Sequence, residues 1–249
     1  MRMNNSVELI GFYGSDEAIA CAAWTSTNRE LTDEKRGRIG KLIKSLWQAS
    51  HETPTERGIV HFLVNSEIAS HIHILKHRIA GVNAESPRYK EVKEDKFYIP
   101  ADWSGIKCSS EIFFNDVLLA NEMTDWSTVL ENYTKLGNEL YHKCLEDLTP
   151  ILGRQRAKES SRFFKTYNSQ IQSDVIFNLR SFANFLKLRN SEHAQKEIRE
   201  IAAEMERLVR AIPGDPFKNA MEIISRKNKV MQKINDLPIE EVEKLLGIQ

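Results

Sequence analysis

The sequence predicts a mixed chain of strands and helices folded as one domain, and three observations carry that reading. Two segments rich in β-branched and aromatic residues, Val7 to Tyr13 and Gly58 to Val64, read as strands. Longer segments repeat apolar residues at steps of three and four, the period of a helix with one buried face. A chain of 249 residues, 41% hydrophobic and 28% charged, matches a protein able to bury one sizeable core.

Taken in order, the first strand ends at Gly14-Ser15-Asp16, where Asp16 is placed to cap a helix over Ala18 to Trp24. Thr32 to Lys35 opens a second helix with Ile39, Leu42, Ile43, Leu46 and Trp47 on its apolar face. That helix ends near His51-Glu52-Thr53-Pro54, because the residue before a proline is pushed out of the helical region. After the second strand, Ser66 is placed to cap a helix from Glu67 to about Arg78. Lys76, His77 and Arg78 then sit at a helix C-terminus, where unsatisfied carbonyls favour cations.

Glu111 to Thr149 reads as one long helical stretch with a break near Thr124 to Trp126, and Pro150 marks its end. Asn178 to Arg189 forms another helix, and Asn190-Ser191 restarts the chain as a third, striped by Ala194, Ile198, Ile201, Met205, Leu208 and Ile212. Residues 213–249 read as a helical C-terminal extension of the same domain, with helices over Phe217 to Ile234 and Pro238 to Leu246.

Bulk properties exclude several classes. Lys plus Arg and Asp plus Glu both number 35, so no global field draws the protein to nucleic acid or an acidic membrane, and any anion site must be local. The expected partner is a small molecule. Cys21, Cys108 and Cys144 are too few and too scattered for a disulfide framework or a clustered metal site. The N-terminus lacks a signal-peptide stretch, and no apolar run approaches the ~18 residues of a membrane span, so the expectation is a cytoplasmic protein.

The run Lys76-His77-Arg78-Ile79-Ala80-Gly81-Val82-Asn83-Ala84-Glu85-Ser86-Pro87-Arg88-Tyr89 carries the chemistry. Guanidinium offers a fork of donors, imidazole and ammonium add charge, and a serine with turn amides fills remaining acceptor positions of an anion. Arg78, seven intervening residues and Ser86, preceded by a basic residue and His77, resemble the signature of the flavin-dependent thymidylate synthases. Further segments match in that family's order: His51-Glu52-Thr53-Pro54 with Glu56, Phe97-Tyr98-Ile99-Pro100, Arg162, Asn178-Leu179-Arg180-Ser181 through Asn184, Leu188-Arg189 and His193-Ala194-Gln195.

The resemblance spans roughly residues 7 to 212 and implies an α+β fold with a central, mostly antiparallel sheet flanked by helices, assembled as a homotetramer. It implies methylation of dUMP to dTMP with methylenetetrahydrofolate as carbon donor and NADPH-reduced FAD as reductant. Lys76, His77, Arg78, Ile79, Glu85, Thr53, Glu56, Asn178, Arg180, Asn184 and His193 are then the FAD residues. His73, Ser86, Arg88, Arg162 and Arg189 are the dUMP residues, with Arg189 and Ser86 nearest the chemistry. His51 falls in the folate and nicotinamide region, and serves equally well as a helix-end histidine on backbone carbonyls. The family's route dispenses with a cysteine nucleophile; Cys21 lies in an Ala-rich helix, Cys108 among Lys and Ser, and Cys144 before Leu-Glu-Asp, so none reads as an activated thiolate.

The chain departs from the family pattern at several places. Lys76 replaces an arginine and so loses bidentate recognition; Ala84 stands where glutamate is common, with Glu85 next to it. His73 replaces a substrate-binding glutamine, and Lys165-Thr166 replaces Leu-Pro. These departures leave a non-catalytic flavin or nucleotide-binding relative as the first alternative. A metal-dependent nucleotide hydrolase, using His73 and His77 four apart on a helix, is a weaker one, because His71-Ile72-His73 turns neighbouring histidines to different faces. No metal site is expected.

Overall fold

A computed structural model describes residues 1–114 and 117–246. In chain order it contains β1 (Ser6–Tyr13), α1 (Asp16–Trp24), α2 (Asp33–Arg36), α3 (Ile39–Gln48), β2 (Ile59–Glu67), α4 (Ile68–Leu75) and β3 (Gly81–Ala84). There follow β4 (Ile112–Phe114), β5 (Val117–Ala120), α5 (Trp126–Leu152), α6 (Arg154–Ser161), β6 (Gln170–Asn178), α7 (Leu179–Arg189), α8 (Lys196–Arg210), α9 (Lys218–Asn235) and α10 (Ile239–Leu246). Four strands form one sheet in the order β1-β2-β6-β3, and β4 pairs antiparallel with β5. Helices and antiparallel strand pairing thus coexist, as the sequence implied.

Several local expectations are corrected. Asp16 does not cap α1: the N-cap is Ser15, whose hydroxyl accepts from the Ala18 amide at 3.2 Å. The Asp16 carboxylate is buried and caps α9 instead, accepting from the Asn219 and Ala220 amides at 2.7 and 3.1 Å. Burial raises its pKa, and those same hydrogen bonds oppose the rise. The second helix breaks at Gly37-Arg38 into α2 and α3. Ser66 caps nothing; β2 runs on to Glu67, whose carboxylate accepts from the Ser70 amide at 3.2 Å and starts α4.

The largest correction lies between Glu111 and Leu119. This stretch is not helical: Ile112, Phe113, Val117, Leu118 and Leu119 form the β4–β5 pair, as their branched and aromatic side chains favour. Its connecting residues Asn115 and Asp116 lie outside the described residues. Asn121 then accepts from the Met123 amide at 3.0 Å, turning the chain into α5, which runs two residues past Pro150. Asn83 and Ala84 belong to β3 rather than to a turn. The third helix starts at Lys196, so His193 and Ala194 sit on the preceding loop.

The chain divides into two compact units. Unit 1 combines residues 1–6, 64–76 and 83–173; unit 2 combines residues 7–63, 77–82 and 174–249. In unit 1, α5 packs on α6 and buries Tyr141, Leu145 and Ala157. In unit 2, Phe177, Phe182 and Phe185 cluster with ring centroids 5.1–6.4 Å apart, each removing ~1.5–3 kcal/mol worth of apolar surface from water. Ile198, Ile201, Met205 and Val209 bury the striped face of α8, and α9 packs against α1, α3 and α7.

Candidate functional site

Unit 1 holds a cavity of about 870 Å³ lined by Asn65, Glu85, Ser86, Arg162, Lys165 and Gln172 among others. Its residues are placed by ordinary local rules. Glu85 ends the pairing of β3: its amide donates to the Gln172 carbonyl at 2.9 Å, and its carboxylate accepts from the Gln172 amide at 3.2 Å. Ser86 therefore emerges on the loop just past the strand. Its hydroxyl accepts from the Arg88 amide at 3.4 Å.

Arg162 opens a single 3₁₀ turn, Arg162–Phe164, at the end of α6. That turn lies directly on α5 at Gly137, where a Cβ would come within 2.6 Å of the Phe164 carbonyl oxygen. Only glycine admits so close an approach. Half-buried in the cavity wall, the Arg162 guanidinium has no hydrogen-bond or ion-pair partner among the described residues. A guanidinium with all its donors open is a ready anion ligand.

Arg88 is differently placed. It is exposed and already paired with Glu159 at 2.9 Å, a bond that raises the Arg88 pKa and lowers that of Glu159. Glu85 is likewise engaged with Lys90 at 2.5 Å. His73 is half-buried on α4, while His71 is buried against the Ser173 hydroxyl at 2.8 Å, and burial lowers its pKa. Among the described residues no three His, Cys, Asp or Glu side chains gather as a metal site.

Lys165, noticed in the sequence only as a departure, proves to be the centre of a network. Its ammonium donates to Asp95 at 2.6 Å and to Asn138 at 2.7 Å and lies 4.3 Å from the Tyr141 ring centre; Asp95 also meets His142 at 2.9 Å. Burial pushes the Lys165 pKa down despite Asp95. Burial pushes Asp95 up, yet the bonds from Lys165 and His142 outweigh it and hold that carboxyl below its usual range. The two shifts disagree on whether the pair gains, and the half-open carboxylate, which can also draw on His142, is the side that does. No local sequence signal could have joined residues 95, 138 and 165.

Unit 2 holds a second cavity of about 710 Å³, where the C-terminal end of α7, the following loop, α8 and α9 meet. Arg189 ends α7, and its Nε donates to His77 Nε2 at 3.1 Å. His77 is buried and rests edge-on to Phe185 at 4.9 Å. An imidazole nitrogen that accepts is unprotonated, so this contact leaves the Arg189 charge uncancelled, and no carboxylate pairs with it among the described residues. Burial accordingly lowers the Arg189 pKa.

Other expected residues of unit 2 gather in smaller sets. Arg180 pairs with Glu56 at 2.9 Å and lies 3.7 Å from Glu52, beside Thr53 on the 3₁₀ turn Thr53–Arg57. Asn178 caps α7 by accepting from the Ser181 amide at 2.8 Å, leaving its amide nitrogen available. Asn184 is exposed on α7, as are Arg78 and Ile79 beyond α4, and Ile79 is 78% exposed despite being apolar. His193 meets Asp236 at 3.2 Å. Lys76, in unit 1, closes α4 at its C-cap, and His51 is exposed after α3.

Sequence comparison identifies the class. Residues 8–213 match the family described as thymidylate synthase complementing protein, and the chain belongs to that family. Its relatives are enzymes: it is 32% identical over 206 residues to a flavin-dependent thymidylate synthase of Pseudothermotoga lettingae, covering 83% of this chain and 85% of the relative. A flavin-dependent thymidylate synthase of Thermotoga neapolitana is 30% identical over 204 residues, covering 82% and 85%. Among solved structures, the UMP/dUMP methylase PolB from Streptomyces cacaoi, bound with 5-Br dUMP, aligns with a TM-score of 0.69 at 25% identity, over 90% of this chain and 96% of that one.

Proposed function

We propose that this chain methylates dUMP to dTMP, taking the carbon from methylenetetrahydrofolate and using NADPH-reduced FAD as reductant. The observation that carries the reading is the unpaired, half-buried guanidinium of Arg162 in a cavity shared with Ser86. It supplies what a nucleotide phosphate requires in a chain whose family includes dUMP-methylating enzymes. Arg162 holds the phosphate and Ser86 orients the nucleotide; Arg88 and His73 complete the dUMP set. Arg189, with a charge no carboxylate cancels, takes the uracil edge and the negative charge that develops there.

The FAD set is Thr53, Glu56, Lys76, His77, Arg78, Ile79, Glu85, Asn178, Arg180, Asn184 and His193. Its chemistry fits a dinucleotide: open cations for phosphates, and amides for ribose and ring edges. Bound flavin would supply the reducing equivalents, and the protein's share is binding, orientation and exclusion of water. We propose further that residues 1–249 act as one domain in a cytoplasmic homotetramer with active sites between subunits, His51 lying in the folate and nicotinamide region. No helix among the described residues is long and apolar enough to cross a membrane.

The decisive experiment is anaerobic turnover. Yellow protein that bleaches with NADPH and dUMP, and yields dTMP once methylenetetrahydrofolate is added, is the expected result. Protein that binds FAD and dUMP but forms no dTMP would instead be a non-catalytic relative.

A further inference from the structure

The cavity of unit 2 has a wall that the family match does not reach. The match stops at residue 213, whereas Asn228, Lys229 and Gln232 of α9 line the same cavity as Arg189 and His193. This wall is held in place from several sides. Asp16 caps α9 at its start; Arg210 of α8 donates to the Met221 carbonyl at 2.8 Å and to the Ser225 hydroxyl at 2.5 Å. Glu206 accepts from Arg210, from Ser225 and, at 3.1 Å, from Asn190 on the loop after α7.

The charges that remain are one-sided. Among the described residues Glu206 is the only carboxylate lining this cavity, and Arg210 already neutralises it. Besides Arg189, which is assigned to the uracil, Lys187 and Lys229 are left without an acidic partner among the described residues. Uncompensated cations on both α7 and α9 around one cavity favour a ligand bearing several phosphate charges, and the amides of Asn228 and Gln232 can both donate to and accept from a heterocycle edge. Just past α9, the Asp236 carboxylate accepts from His193 Nε2, which sets the turn of the ring and the nitrogen that carries the proton.

We propose that α9 forms a wall of the flavin-dinucleotide site, in which Lys229 contacts the ligand's phosphates and Asp236 is a positioning residue that orients His193. The inference rests on the assignment of His193 to flavin.

Its test uses full-length protein stripped of flavin and titrated back with FAD, followed by flavin absorbance and fluorescence. Lys229→Met weakens FAD binding about fivefold, the upper worth of one exposed charge contact. Asp236→Asn weakens it about threefold and shifts the visible band of the bound flavin, Asp236→Glu restores both, and Asp236→Asn adds nothing to His193→Ala. Melting temperatures stay with the parent protein. If His193→Ala loses affinity while Lys229→Met and Asp236→Asn bind FAD as the parent does, the inference fails and the flavin reading stands. If His193→Ala itself binds FAD normally, the flavin assignment of that residue fails and takes the inference with it.

Discussion

The two cavities hold their charges in opposite ways. In unit 1 most charged side chains around the cavity are matched: Lys90 with Glu85, Glu91 with Arg154, Lys96 with Glu94, Lys165 with Asp95. Against that largely matched background Arg162 and the exposed Lys93 stand open among the described residues. In unit 2 the single lining carboxylate among the described residues, Glu206, is spent on Arg210, and several cations have no acidic partner among those residues. A matched wall with one open guanidinium is selective for a singly placed anion. An unmatched wall suits a ligand with charge at more than one point, and salt screens it more strongly.

The sharpest way to break this contrast is Arg162→Ala. It removes the open guanidinium, so dUMP binding falls ~100-fold, the lower range for truncating a desolvated charge contact, while FAD content is unchanged. Calorimetric titration with dUMP checks it, and near-normal affinity would show that the phosphate lies elsewhere.

Asp95→Asn comes next, because it leaves the Lys165 ammonium buried without its counter-ion. A cost of about 2 kcal/mol is expected, below the range for a fully buried pair since Asp95 is partly exposed. The sign with pH follows from the depressed Asp95 carboxyl: its contribution is present above the ordinary carboxylate pKa and is lost as pH falls through the lower folded value. Thermal melts should show the parent protein losing stability below pH ~4 more steeply than Asp95→Asn does.

Gly137→Ala pushes the Arg162 turn off α5, its added methyl crowding the Phe164 carbonyl oxygen, without altering any charged side chain. The KM for dUMP should rise about tenfold with flavin content intact, since misplacing a binding group by a fraction of an ångström is enough. Arg88→Ala is the mildest. Its guanidinium is exposed and already serves Glu159, so dUMP affinity should change by no more than about fivefold. Should Arg88→Ala cost more than Arg162→Ala in the same titration, the contrast between open and matched arginines is wrong.

The sequence exposed what depends on near neighbours. Asn178 as the cap of α7, Pro238 just ahead of α10 and the stripe of α8 were readable because cap, turn and period are local signals. Ile112 to Leu119 misled because a short apolar run fits strand and helix periods alike. β6 went unread although Asp174 and Ile176 outward, Val175 and Phe177 inward, alternate as a half-buried strand should. The pairings that sort the site could not be read at all. Nothing near Arg88 announces Glu159, and nothing near Arg162 announces that it has no such partner. Arginines of equal standing in the motif are separated only by the tertiary fold.

The cap that Asp16 places on α9 spans 203 residues of chain. The carboxylate leaves the ribosome 203 residues ahead of the Asn219 amide, so a nascent polypeptide carries this aspartate unclaimed over all of that interval. The cap therefore forms only once both distant segments exist, and a chain cut short before Asn219 would leave an acid group stranded where the longer chain has a helix.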